Sequence, residues 1–122
     1  MSYSMEEYYA AVDSGRLDDA VAMLAGDVQF VMILPTGERR GHSRADMLDY
    51  LRNRPAVERV HRLMRIARHD DVEFGFGAVV ENGATTTGYF VSAMHMDGAG
   101  LIDRYQVSFL ADFAVLPGEG RV

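Results

Sequence analysis

The chain of 122 residues contains no cysteine and no lysine, and all twelve of its basic residues are arginine. Without cysteine it can form no disulfide bond, no thiol nucleophile and no thiolate metal site. Without lysine it can form no side-chain Schiff base, and it lacks the lysine of a phosphate-binding P-loop. Three large mechanistic classes are excluded before any motif is considered.

Positive charge is also scarce. The 18 acidic residues outnumber the 12 basic ones and give a formal net charge of −6. Such a chain is a poor partner for nucleic acid or for an anionic membrane surface. It has no apolar run of 18 residues and no charged-then-apolar leader, so we expect no membrane span, no signal peptide and a cytoplasmic location. The length and the 48% hydrophobic content predict one globular domain over residues 1–122.

Helical signals dominate the first half of the chain. The run "SMEEYYAAVDSG" predicts a helix that is capped by Ser4, with Glu7 three residues on, and that ends at Gly15. The run "RLDDAVAMLAGDV" predicts a second helix that includes Leu24 and ends at Gly26.

A strand and a third helix follow. "VQFVMIL" (28–34) is typical of a β-strand, and "PTGERRG" (35–41) predicts a turn. "HSRADMLDYLRN" predicts a helix capped by Ser43, and Pro55 closes it.

From residue 72 the hydrophobic period is two. "VEFGFGAVV" places alternate apolar residues on one face of a strand. The turns "ENGA" and "DGAG" then separate "TTTGYFVSAMHM" and "LIDRYQVSFLADF" into two more strands. The second half of the sequence therefore predicts a three-stranded antiparallel meander. The whole sequence predicts an α+β fold.

The segment "RVHRLMRIARHDD" (59–71) is ambiguous. As a helix it would place Val60, His61 and Met64 on one face. As a strand it would place Arg59, His61, Leu63 and Arg65 on one face, with Val60, Arg62, Met64 and Ile66 on the other. Propensity slightly favours the helix, and periodicity alone does not decide between the two.

Several runs together resemble the SnoaL-like, ketosteroid-isomerase-like proteins of the nuclear transport factor 2 (NTF2) superfamily. They are "YYAAVDSGRLDDAVAMLAGDVQFVM", "RRGHSRADMLDYL", "RVHRLMRIARHDDVEFGFGAVVENG" and "DGAGLIDRYQVSF", and they span about residues 5–113, with 117–122 as a frayed tail. The resemblance implies three helices on a strongly curved, mostly antiparallel sheet that forms a conical apolar pocket. It also implies that residues 58–68 form a strand.

Two of the family's catalytic layouts fit this sequence poorly. Tyr8 matches the tyrosine of ketosteroid isomerases, but Met32 stands at the position of the general base and Ser92 at that of the partner aspartate. The layout of limonene-epoxide hydrolases needs an aspartate in the last strand, where this chain has Val107.

A third layout fits better, that of scytalone dehydratase and hexachlorocyclohexane dehydrochlorinase. In those enzymes an aspartate at the end of the first helix orients a histidine that removes a proton, and Asp13 and His61 match these positions. Val12 replaces a tyrosine of scytalone dehydratase, and the second histidine of that enzyme has no match. As an alternative, Asp13 is an ordinary turn residue and His61 a packed core histidine.

The resemblance thus implies a pocket for a small apolar or cyclic molecule, with lyase or isomerase chemistry by Asp13 and His61. Its expected lining residues are Tyr8, Met32, Arg59, Leu63, Arg65, Ser92, Tyr105 and Val107. The alternative is a ligand-binding or dimerisation module without catalysis. We expect no cofactor and, because no two histidines have a metal-binding spacing, no metal. We also expect a homodimer through the outer sheet face, at Met64 and Ile66.

Overall fold

The computed structural model describes residues 3–119, which form three helices on one face of a six-stranded sheet. The helices are α1 (Ser4–Asp13), α2 (Leu17–Ala22) and α3 (Arg44–Arg52). The strands are β1 (Leu24–Leu34), β2 (Gly37–Gly41), β3 (Arg59–His69), β4 (Val72–Glu81), β5 (Thr85–Met96) and β6 (Ile102–Leu110). Their order is β2-β1-β6-β5-β4-β3, with β1 and β6 parallel and the other neighbouring pairs antiparallel. The predicted α+β fold is confirmed.

Residues Arg59–His69 form strand β3, which confirms the strand prediction for this ambiguous segment. The whole strand pairs with β4, and this pairing overrides the slight local preference for a helix. The alternation predicted for the strand holds as far as Leu63, and there a bulge at Met64 shifts the register. Beyond the bulge the prediction is wrong, because Ile66 packs against the inner core and Arg65 lies opposite Phe76 on the other face.

Three predicted boundaries are also wrong. Helix α1 is preceded by Tyr3, whose backbone N–H donates to Glu6, so the cap lies one residue before Ser4. Helix α2 ends at Ala22 because Leu24 already pairs with Ile102 as part of the sheet. Residues 37–41, predicted as a turn, form β2, a charged edge strand of the kind that resists further strand pairing.

The N-terminus of α1 is fixed to the sheet by a buried carboxylate. Glu73 of β4 is 1% exposed, and it accepts hydrogen bonds from the backbone N–H of Met5 at 2.8 Å and of Ser4 at 3.1 Å. These N–H groups have no partner inside the helix, and their partial positive charge favours an anion. Gly75 permits the close approach, because a Cβ atom there would lie 2.5 Å from Met5 Sδ.

The inner face of the sheet, defined as the face that the helices cover, carries the main core. Its largest fully buried side chains include Phe90, Met5, Leu24, Met47, Met94 and Ile102. No helix among the described residues is long and apolar enough to cross a membrane.

The outer face is only partly covered. A small cluster of Phe76, Ala78 and Tyr89 packs with Met64 and with Ala114 and Leu116 of the C-terminal segment. Pro117–Glu119, predicted as a frayed tail, turns back here, and Glu119 lies 3.9 Å from Arg62. Residues 120–122 of that prediction lie outside the described residues. The uncovered part of the face exposes Ile33, Phe74 and Val91.

We predict that Glu73→Gln lowers the free energy of unfolding by about 2 kcal/mol, because the helix loses a charged, two-oxygen acceptor. Urea unfolding followed by circular dichroism measures the change. The matched control is Glu58→Gln at an exposed position, for which we expect a change within about 0.5 kcal/mol. Equal stabilities of the two variants would contradict the role given to Glu73.

Candidate active site

The carboxylate of Asp13 binds His61 through two hydrogen bonds. Asp13 is the last residue of α1, and its Oδ2 accepts the backbone N–H of His61 at 2.7 Å. Its Oδ1 lies 2.7 Å from Nδ1 of the same residue. Since a carboxylate can only accept, Nδ1 carries the proton, and Nε2 of the neutral ring carries a lone pair. The two residues that the resemblance pairs are therefore in direct contact.

Aromatic rings enclose the imidazole of His61. The Tyr9 ring stacks on it with centroids 4.5 Å apart and planes 11° apart. Phe90 and Phe109 meet it edge to face. Among the described residues no group hydrogen-bonds to Nε2, and the one buried side-chain nitrogen or oxygen without a partner is Nε of Arg54. Nε2 is therefore free to act on a ligand, and His61 is one of the residues that line the adjoining cavity.

Two cavities meet at His61. The larger, which we call the mouth cavity, has a volume of about 410 Å³. Its wall includes Leu34, Tyr50, Arg54, Arg59, His61, Val79, Glu81, Phe109 and Leu110. Behind it lies an inner void of only about 30 Å³, with room for about one water molecule. The base of the cone is thus filled by side chains, and space for a ligand remains at its mouth.

The predicted lining residues separate into three groups. Arg59 lines the mouth cavity, where its Nε lies 3.4 Å from Glu81. Three others line the inner void: Tyr8, Met32 and Tyr105.

The remaining four line neither cavity. Ser92 and Val107 are buried inside the core, where the Ser92 hydroxyl donates to Met5 Sδ at 3.2 Å. Leu63 contacts the core from β3, and Arg65 is exposed on the outer face because of the bulge. The structure therefore places these four residues outside both cavities.

The tyrosines around the inner void are hydrogen-bond donors rather than bases. The hydroxyls of Tyr9 and Tyr105 lie 2.6 Å apart. Burial raises the pKa of Tyr9 to about 12 and also raises the pKa of Tyr8 and of Tyr105. All three phenols therefore keep their protons at neutral pH, and His61 is the group of this site suited to accept one.

Arg54 is a site residue that the sequence reading missed. It lines both the mouth cavity and the inner void, beside His61 in each. Burial lowers its pKa, as does the charge of Arg59, while Tyr50, Tyr8 and Asp13 act in the opposite direction. A signal existed in the sequence: Pro55 disfavours the helical conformation for the residue before it, which directs Arg54 out of the path of α3.

Tyr9 was also missed as a neighbour of the histidine. It lies four residues before Asp13 in α1, and side chains at this spacing share one helix face. The spacing alone therefore placed Tyr9 beside whatever Asp13 contacts.

A second histidine, His95, is held by two carboxylates on the outer face. Its Nδ1 lies 2.5 Å from Asp103 and its Nε2 2.8 Å from Asp71. The two acids bind opposite sides of the ring, so their oxygens do not converge on one point. Within residues 3–119 no three histidine or acidic side chains are arranged to hold a metal ion. The nearby outer groove of about 540 Å³ includes His95 and Arg104 in its wall, but not His61.

Comparisons with known proteins identify the fold. A protein of unknown function from Burkholderia xenovorans, described as NTF2-like, superposes with a TM-score of 0.71 and 19% identity, covering 94% of this chain and 85% of its own. An LEH-like epoxide hydrolase from M. tuberculosis gives 0.71 and 16%, covering 88% and 80%. The epoxide hydrolase/cyclase-like enzyme SalBIII, with a role in pyran ring formation in salinomycin, gives 0.70 and 18%, covering 88% of each.

The chain shares its fold with these structures, one of which is described as NTF2-like. No family model and no curated protein matches the chain. At these identities the likeness shows the fold alone, and the residues at the cavity must carry any argument about chemistry.

We predict that His95 stabilises the protein more in mild acid than in base. Its hydrogen bonds to Asp103 and Asp71 raise the pKa of His95 above the usual 6.5, so this stabilisation is complete below that pH and is lost as the pH rises through the native value. Hydrogen bonding to His95 lowers the pKa of Asp71 below 3.8. The part of the stabilisation that comes from the ionised Asp71 is therefore lost only in stronger acid. The stability difference between the wild type and His95→Gln should be larger at about pH 5.5 than at about pH 9 by urea unfolding. A difference that is the same at both values would contradict the prediction.

Proposed function

We propose that the protein is a lyase or isomerase that uses His61 as a general base and Asp13 as its orienting partner, on a small, largely apolar substrate in the mouth cavity. One observation carries the proposal: Asp13 accepts hydrogen bonds from the ring Nδ1 and from the backbone N–H of His61, while Nε2 has no hydrogen-bond partner among the described residues and His61 lines the mouth cavity. A carboxylate on one ring nitrogen raises the basicity of the other.

The proposed step is a proton transfer. Nε2 of His61 takes a proton from a carbon of the substrate, and the C–H electron pair forms a new C=C bond. In an isomerase the pair displaced from a neighbouring carbonyl goes to its oxygen. The substrate then needs a second C=C bond conjugated with the enolate: as the oxygen pair re-forms the carbonyl, that bond shifts, and its far carbon takes the proton back from the histidine. In a lyase a leaving group on the adjacent carbon departs with its bonding pair. Asp13 stabilises the positive ring in both cases.

A second candidate is a ligand-binding module without turnover. The observation that favours it is the hydrogen bond from the His61 backbone to Asp13, which fixes α1 to β3 whatever the ring does. The same cavity would then bind its ligand, and both side chains would serve the fold.

We also propose that two copies pair through the uncovered outer face. Ile33, Phe74 and Val91 are 42%, 49% and 51% exposed on the strands β1, β4 and β5 of one sheet. This set replaces the predicted pair of Met64 and Ile66, which pack within their own chain. An apolar face left without helical cover suits a self-complementary dimer.

The catalytic proposal predicts that the protein accelerates deuterium exchange into 2-indanone, a neutral cyclic ketone with acidic C–H bonds. In D2O, NMR should show a protein-dependent exchange rate that falls by about 100-fold in His61→Gln, since general-base catalysis contributes at least that much. Asp13→Asn should give a smaller loss, because the new amide can still accept the backbone N–H but no longer pairs with a protonated Nδ1. Asp13→Asn is compared only if its circular dichroism matches the wild type.

The matched control is His42→Gln, because the side chain of His42 is 89% exposed and absent from the mouth cavity. It should exchange at the wild-type rate. Equal rates for the wild type and His61→Gln would refute catalysis by His61 and leave the binding module as the better account.

For the dimer, light scattering at micromolar concentration should give twice the chain mass of 13.6 kDa. Val91→Glu should reduce it to the monomer mass, because a carboxylate at the centre of the contact would be buried without a partner. Val57→Glu, at a site 37% exposed outside the sheet, is the control and should remain dimeric. A wild-type protein of monomer mass would end this proposal.

A further inference from the structure

The charges around the mouth cavity do not balance. Arg59 is paired with Glu81, and both oxygens of Asp13 are occupied by His61. Arg54 makes no ion pair within the described residues, and its Nε is buried without a hydrogen-bond acceptor. The cavity wall therefore contains one guanidinium group that forms no ion pair within the described residues, although the charge of Asp13 acts on it without direct contact.

An unpaired, partly buried charge lowers the stability of a folded protein. Such a group normally has a partner, because desolvation without compensation costs more than most single interactions contribute. Where a structure leaves one unpaired at the edge of a cavity, a ligand is the natural source of the missing acceptors. The position of Arg54 fits this role, since it lines both the inner void and the mouth cavity, as His61 does.

We propose that the mouth cavity binds a small, largely apolar monocarboxylate whose carboxylate group pairs with Arg54. The inference rests on the proposed function, because it names the substrate class of the same site. A planar guanidinium matches a carboxylate with two parallel hydrogen bonds. A phosphate dianion fits less well, because Arg59 is already neutralised by Glu81 and leaves Arg54 as the single free cation of the described wall.

The rest of the cavity suits the apolar part of such a molecule. Leu34, Val79, Phe109 and Leu110 supply apolar surface, and the volume of about 410 Å³ lies within the range of small-molecule sites. With its carboxylate at Arg54, the body of the ligand extends beside His61. Arg54 is then the residue that selects the substrate, and His61 the residue that acts on it.

The test compares cyclohexanecarboxylate with cyclohexanecarboxamide, which share a shape and differ in charge. Binding is measured at neutral pH by chemical-shift titration of the wild type and three variants. The wild type should bind the carboxylate at least about tenfold more tightly than the amide, a difference of about 1.4 kcal/mol. Arg54→Gln should abolish this preference. Arg52→Gln, which removes the same charge from an exposed position two residues away, should retain it.

His61→Gln should also retain the preference, which separates this inference from the proposed catalysis. Equal binding of the two probes to the wild type, no binding of the carboxylate at millimolar concentration, or a preference that survives Arg54→Gln would each overturn the inference. None of these results would contradict the predicted deuterium exchange into 2-indanone, because that ketone carries no charge for Arg54 to bind.

A second measurement distinguishes a binding role from a structural one. If Arg54 serves the ligand, Arg54→Met should raise the Tm of the ligand-free protein, because it removes an unpaired charge and keeps apolar contact. If Arg54 instead holds the segment after α3 in place, Arg54→Met should lower the Tm, and that result would count against the inference.

Discussion

The contact between the carboxylate of Asp13 and His61 is the interaction on which the cavity depends. It joins the last residue of α1 to β3, selects the protonated nitrogen of the ring and leaves the other nitrogen without a partner among the described residues, on a side chain that lines the mouth cavity. An acidic group at the C-terminal end of a helix is unfavourable by itself, and the two donors of His61 offset that cost. With Glu73 at the opposite end, α1 is held to the β3–β4 pair by two carboxylates.

This attachment explains why the space for a ligand lies where it does. Helix α1 is drawn against the sheet closely enough that Tyr8 and Tyr9, with Tyr105 and Met32, occupy the base of the cone. The similar structures include an epoxide hydrolase, but at 16% identity that likeness shows the fold alone. The scaffold supplies an apolar pocket, and the side chains at its mouth decide what can be done in it.

Each face of the sheet keeps groups that reduce the stability of the isolated chain. On the inner side, Arg54 forms no ion pair within the described residues, and its buried Nε lacks a hydrogen-bond acceptor, which costs stability. On the outer side, Phe74 and Val91 remain exposed while the C-terminal segment covers the neighbouring cluster around Phe76. In both places the isolated chain leaves a group without a partner. The proposed carboxylate ligand would pair with Arg54, and the proposed second copy would cover the outer face.

The sequence by itself determined α3 with its cap at Ser43, and the meander with its two turns, because turn chemistry and side-chain period are local properties. Its resemblance to a known family also brought Asp13 and His61 together. The strand at residues 59–69, the bulge at Met64 and the reach of Glu73 to α1 were decided by the tertiary structure. Strand pairing and register depend on residues distant in the chain, and one extra residue in a strand moves every later side chain to the other face. For the same reason Arg65 lies outside both cavities. Arg54 lies in the segment after α3, and only the folded chain brings it beside His61.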